Sequence, residues 1–166
     1  MLDILKYIEK TQILNLLNQP EIWKTKLIDY EPPIVERVYT EIGDYRLSLH
    51  FIHPCDEAFI HPHVWKSAMH IIEGSYEMGL YYPNEKNELE CVSTIFTRKE
   101  FYYEMLNKKA QHYVKPIDSI CKTVMLTGKP IWKENGVEVN KELVDLTESR
   151  KNEILDFYKL YYKFFN

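Results

Sequence analysis

YRLSLHFIHPCDEAFIHPH, running from Tyr45 to His63, carries the pattern that decides the fold. Leu47, Leu49 and Phe51 alternate with Arg46, Ser48 and His50, the signature of a β-strand whose two faces meet different surroundings. At its far end His61-Pro62-His63 sets two imidazoles at i and i+2. On a strand such positions share a face, and once the strand curves both rings reach one metal ion at about 2.0–2.1 Å. Just upstream, Gly43-Asp44 separates two β-rich runs at 34–42 and 45–52 and reads as a tight hairpin turn.

Working outward, a second hairpin is expected at 67–72 and 75–82 around Glu73-Gly74, and the polar cluster 83–87 turns the chain into a strand at 89–96. Further strands fit 111–115, 119–126 and a short 131–133. About eight short strands punctuated by turns predict a mainly β protein, an antiparallel barrel or sandwich. Strand alternation places Leu47, Leu49, Phe51, Met69, Ile71, Val124 and Leu126 in its core.

The ends differ from the middle. Leu5, Ile8, Ile13, Leu16 and Leu17 recur at helical spacing, which predicts a helix over 3–17 capped by Asp3, and Pro20 opens a second short helix through Lys26. Pro32-Pro33 then forces an extended connection. Leu143, Leu146, Ile154, Phe157, Tyr158, Tyr161, Phe164 and Phe165 form one stripe of a long amphipathic C-terminal helix. That stripe either covers an outer face of the barrel or forms a homodimer contact. The expected organisation is one domain over 1–166, with a helical segment at 1–33, the barrel at 34–133 and the helix at 138–166.

At 166 residues, with 45% hydrophobic and 14% aromatic residues, the chain is long enough to build a proper core. A formal charge of -4 and the lack of clustered Lys and Arg argue against nucleic acid as a partner. The first ten residues place Asp3, Lys6, Glu9 and Lys10 among apolar positions, unlike a signal peptide or membrane span, so a cytoplasmic protein with no membrane partner is expected. Cys55, Cys91 and Cys121 are too few and too scattered for a disulfide framework or a Cys-based zinc site.

A metal site needs a third ligand, and His112, opening a later strand, is the candidate. His50 and His53 read as ordinary strand and loop histidines. His70 has the opposite strand parity to His61 and His63 and should point away from them. Glu73 and Glu77 read as turn and solvent residues, and Trp65 as a core aromatic.

Here the sequence resembles a cupin. His61 and His63 match the paired histidines of the family's first motif, Gly74 its closing glycine and His112 the histidine of its second motif, while Ser67 stands where the motif places a glutamate. The resemblance covers about 35–132 and implies a cupin-type antiparallel β-barrel, the double-stranded β-helix or jelly roll. Three histidines without a carboxylate are most similar to the thiol dioxygenase branch, cysteine dioxygenase being its best known member. Tyr45–His63 aligns with that family's strand into its first motif, and HYVKPIDSICKTVMLTGKP, from His112 to Pro130, with its second. The resemblance places Arg37 near the arginine that holds the substrate carboxylate. Met125 and Thr127 stand where that family has a later His and Tyr.

Three imidazoles leave coordination positions open and suit one divalent metal ion, with Fe(II) favoured and Zn(II) or Ni(II) as alternatives. The sharpest functional expectation is a mononuclear non-haem iron oxidoreductase, dioxygenase-like, acting on a small thiol or carboxylate. His61, His63 and His112 bind the metal, Arg37 anchors an acidic group, and Tyr76 or Tyr113 shapes the pocket. The alternative is a non-catalytic cupin that binds a small ligand or metal as a sensing, storage or interaction module, since one scaffold hosts many functions.

Overall fold

The computed structural model describes residues 1–129 and 142–165. Among these residues, two helices, α1 (Leu2–Thr11) and α2 (Ile13–Leu17), lead through a single 3-10 turn into ten strands, and α3 (Glu148–Phe165) follows. The strands are β1 (Lys24–Ile28), β2 (Val35–Ile42), β3 (Tyr45–Ile52), β4 (His61–Pro62), β5 (Ser67–Glu73), β6 (Tyr76–Pro83), β7 (Leu89–Phe96), β8 (Tyr102–Met105), β9 (Gln111–Pro116) and β10 (Cys121–Thr127). They form a six-stranded sheet ordered β1-β2-β3-β10-β5-β8 and a four-stranded sheet ordered β4-β9-β6-β7. Both are antiparallel throughout. Setting aside β1 and β2 at one edge, this is the strand order of a jelly roll. The protein is mainly β with helices at both ends.

Two hydrophobic layers hold it together. Between the sheets, Ile52, Met69, Ile71, Tyr76, Met78, Val114, Cys121 and Met125 form the inner layer. Outside the larger sheet, Val38, Leu47, Leu49, Phe51, Ala68, Ile72, Val124 and Leu126 meet Leu5, Ile8, Ile13, Leu17, Ile154, Leu155 and Tyr158 from the helices. All seven core residues expected from alternation are buried. They divide between the layers, however, with Met69 and Ile71 between the sheets and the other five under the helices. The consequence for β3 is that its apolar face looks outward to the helices. Its other face, Ser48 and His50 with Ile52, is buried as well and looks into the barrel.

Several boundaries differ from expectation. The expected 3–17 helix breaks at Gln12, and Met1 rather than Asp3 takes the N-cap position. Pro20 opens only one 3-10 turn, Pro20–Ile22, because the next residues pair antiparallel with β2 as β1. That edge pairing overrides the local helix signal. Strand β8 was not expected, although Phe101-Tyr102-Tyr103 has strong β character.

The C-terminal helix starts at Glu148, not 138, because Leu27 N–H donates to Val144 O at 2.8 Å and Thr25 Oγ accepts from Leu146 N–H at 3.0 Å, fastening this part of the chain along β1. Thr147 caps the helix, its hydroxyl accepting from Arg150 N–H at 3.2 Å. Leu143 and Leu146 therefore precede the helix, and Phe164 is 76% exposed. The expected strand 131–133 and the first residues of the expected helix lie outside the described residues. Among the described residues no helix is long and apolar enough to cross a membrane.

Candidate metal centre

The short strand β4 pairs His61 directly with His112 of β9, while His63 follows two residues later on the same side. Ring centroids lie 4.7 Å apart for His61–His112 and His63–His112, and 5.4 Å for His61–His63. One ring nitrogen from each lies within 4.8 Å of the other two.

Partners behind the rings fix which nitrogens face one another. His61 Nδ1 lies 3.1 Å from Phe59 O, an acceptor only, so that nitrogen carries the proton and Nε2 presents its lone pair. His112 Nδ1 lies 3.4 Å from the thioether of Met78, again an acceptor only, with the same result. His63 Nδ1 lies 3.2 Å from Ser67 Oγ, and the hydroxyl can donate or accept. His63 Nε2 then sits 2.9 Å from His112 Nε2. Without a cation, His63 must hold its proton on Nε2 and donate it to His112. With a cation between the rings, the proton belongs on Nδ1, donated to Ser67.

Electrostatics keep all three rings neutral. Burial is the main cause, pushing His112 well below its ordinary 6.5, His63 down to about 3 and His61 down as well. Neighbouring histidines lower His63 and His112 further, and the positive charge of Arg37 lowers His61 and His63. Neutral imidazole is the metal-binding form.

The cluster opens into a cavity of about 320 Å³, whose other walls include Val35, Ile52, Phe59, Val64, Met69, Val114 and Met125. Arg37, His50 and Trp65 also line it. Arg37 Nε donates to His50 Nε2 at 3.0 Å, and among the described residues no carboxylate forms an ion pair with Arg37. Burial and the nearby Arg46 charge lower its pKa to about 10, which leaves it cationic at neutral pH. Trp65 Nε1 is buried, with no hydrogen-bond partner among the described residues.

The structure brings together four of the six site residues expected from sequence: His61, His63, His112 and Arg37. Tyr76 and Tyr113 do not line this cavity, which corrects the role expected for them. Tyr113 follows His112 on the strand and so turns to the opposite face, where its hydroxyl donates to Glu77. Tyr76 is fully buried deeper between the sheets and donates to Tyr103 at 2.6 Å. Sequence reasoning passed over His50 and Trp65 as lining residues and had no signal for Met78. For His50 the signal was its cross-strand pairing with Arg37, visible once the Gly43 hairpin is folded. His70, as expected, points away: its Nδ1 meets Glu9 at 2.7 Å under the helices.

No protein-family model and no curated protein sequence matches the chain. Solved structures resemble it at low identity. KdgF from Halomonas sp. is 13% identical, covering 65% of this chain and 90% of its own, with a TM-score of 0.47. Ectoine synthase from P. lautus is 17% identical, covering 73% and 80%, with a TM-score of 0.45. A cupin-2 domain containing protein from Shewanella frigidimarina is 16% identical, covering 54% and 76%, with a TM-score of 0.41. The strand order makes the fold a jelly roll, the double-sheet architecture that cupins share. Within it, His61 on β4, His63 just beyond that strand and His112 on the adjacent strand β9 share the space between the two sheets.

Proposed function

We propose that the protein is a metal-binding cupin whose three histidines hold one divalent ion, with Fe(II) favoured and Zn(II) or Ni(II) as alternatives, and that it acts as an oxidoreductase on a small anionic substrate. The observation that carries this reading is the convergence of three neutral imidazoles, each with Nδ1 set against an oxygen or sulfur partner, which leaves Nε2 as the nitrogen available to a shared ion. Two Nε2 atoms 2.9 Å apart favour a shared cation or proton between them. Ser67 deepens the fit: standing where the cupin motif places a glutamate, its hydroxyl orients His63 from behind. Three ligands leave open positions, and imidazole donors suit iron, zinc and nickel.

When bound, the metal supplies the redox or Lewis-acid chemistry. The chain supplies position and surroundings. Arg37, without a carboxylate partner among the described residues, takes the substrate's acidic group through paired hydrogen bonds. The buried Trp65 Nε1–H offers a second donor, and the apolar walls exclude water from the rest of the substrate. Thiol oxidation is the most specific form of this proposal, with a small thiol carboxylate as substrate.

The test is oxygen consumption by iron-loaded protein against a panel of small thiols and oxygen acids, compared with Arg37→Lys and His63→Ala. Turnover of one panel member that both substitutions abolish supports the reading. The second reading, a non-catalytic binding module, is favoured by the walls, where among the described residues His50 is the one imidazole beyond the ligand set and Tyr76 and Tyr113 are turned elsewhere. Ligand binding without turnover of any member would select it.

A further inference from the structure

Arg37, His50 and Thr123 are directly opposed across three adjacent strands, β2, β3 and β10. A guanidinium Nε–H can only donate, so the 3.0 Å contact from Arg37 Nε makes His50 Nε2 the acceptor and leaves the ring proton on Nδ1. That proton faces Thr123 Oγ1 at 3.4 Å. From outside the sheet, the Tyr158 hydroxyl contacts the carbonyl oxygens of both His50 and Thr123, at 3.0 and 2.8 Å, tying this row to α3. Burial and the Arg37 charge keep the His50 ring neutral, as the acceptor role requires.

We infer that His50 is a positioning residue that occupies the Nε edge of Arg37, so that the cavity takes a single planar carboxylate on the two Nη groups at the guanidinium's end. The inference rests on Arg37 being the anion anchor proposed above and adds how it is aimed. An arginine bonded along one edge has lost much of its rotational freedom before the ligand arrives, which lowers the entropic cost of binding. Val35, Ile52, Phe59 and Val114 give the lining an apolar stretch, and Glu31 beside Tyr30 adds a negative charge that disfavours a second acidic group, so the ligand class is a monocarboxylate with an apolar body.

Benzoate is a suitable probe, titrated calorimetrically into the full-length protein as purified. Three variants are compared: Arg37→Met, His50→Phe, which removes the acceptor, and His50→Gln, whose amide oxygen restores one. The expected result is loss of binding in Arg37→Met, a weakening of about tenfold in His50→Phe and near-complete recovery in His50→Gln, with metal content unchanged in both His50 variants. Absence of benzoate binding by the unaltered protein, or undiminished binding in Arg37→Met, overturns the anchor reading itself. Loss in Arg37→Met with unchanged affinity in His50→Phe overturns the positioning role alone. Nitrogen-15 NMR of the unaltered protein tests the same point without a variant that must fold. A His50 ring protonated on Nδ1 supports the inference, and one protonated on Nε2 overturns it.

Discussion

Acidifying the metal-free protein should weaken its fold well before its carboxylates titrate. Four imidazoles, His50, His61, His63 and His112, are held neutral by burial in the folded chain and take up protons freely only when it unfolds. Because their folded pKa values lie below the ordinary 6.5, their effect is absent above that pH and grows as pH falls through the window down to the folded values. For His63 the window runs from 6.5 to about 3. Each pH unit inside it costs about 1.4 kcal/mol, so by pH 5 this one ring removes about 2 kcal/mol. The other three act in the same direction, against a total stability of about 5–15 kcal/mol for a typical domain.

Urea unfolding of chelator-treated protein at several pH values between 7.5 and 5 reads this directly. Glu36, held below its ordinary 4.5 chiefly by the Arg150 and His53 hydrogen bonds against the opposing effect of burial, contributes only at lower pH. His63→Gln should flatten the dependence between pH 6.5 and 5 by about 2 kcal/mol. An unfolding free energy that stays level from pH 7 to pH 5 would refute the claim that these rings are buried and neutral.

Other consequences follow from the packing and from the partners of the ligands. Leu49→Ala, fully buried beneath the helices, should lose about 2–5 kcal/mol in chemical denaturation. Ser67→Ala removes the group behind His63 Nδ1 and should weaken metal affinity by about 10–100-fold in a chelator competition, with the fold intact by circular dichroism. Met78→Leu removes a weaker acceptor from His112, and the loss measured in the same way should be smaller than for Ser67→Ala. Arg150→Ala breaks the paired contacts to Glu36 at 2.7 and 2.6 Å that fasten α3 to β2, and thermal unfolding should show a loss of about 1–3 kcal/mol.

Much of the fold was legible because alternation and turn residues are local signals. The expected 45–52 and 89–96 runs coincide with β3 and β7, and Gly43 and Gly74 occupy the hairpin turns with φ of +57° and +79°, a conformation glycine adopts without strain. What alternation could not reveal is which face of β3 is which. Leu47 and His50 are both buried, one under helices and one in the barrel, because helices cover the outside of the sheet.

Within the site, His61 and His63 were legible from spacing. His112 stood out as a third imidazole opening a later strand, whereas Arg37 gained its meaning from the family resemblance, since nothing local ties it to the pair. Tyr76 and Tyr113 failed for different reasons. Strand parity alone turns Tyr113 outward, whereas Tyr76 is withdrawn by its depth and its bond to Tyr103. Met78 was invisible because a thioether behind an imidazole leaves no sequence signature.

The central claim is that His61, His63 and His112 bind one metal ion together. Elemental analysis of protein purified without chelators, set beside His112→Ala prepared identically, tests it most directly. The account predicts about one divalent ion per chain in the unaltered protein and its loss in the variant. Metal retained in full after removal of His112, or none taken up by the unaltered chain even when iron, zinc and nickel are supplied, would contradict it.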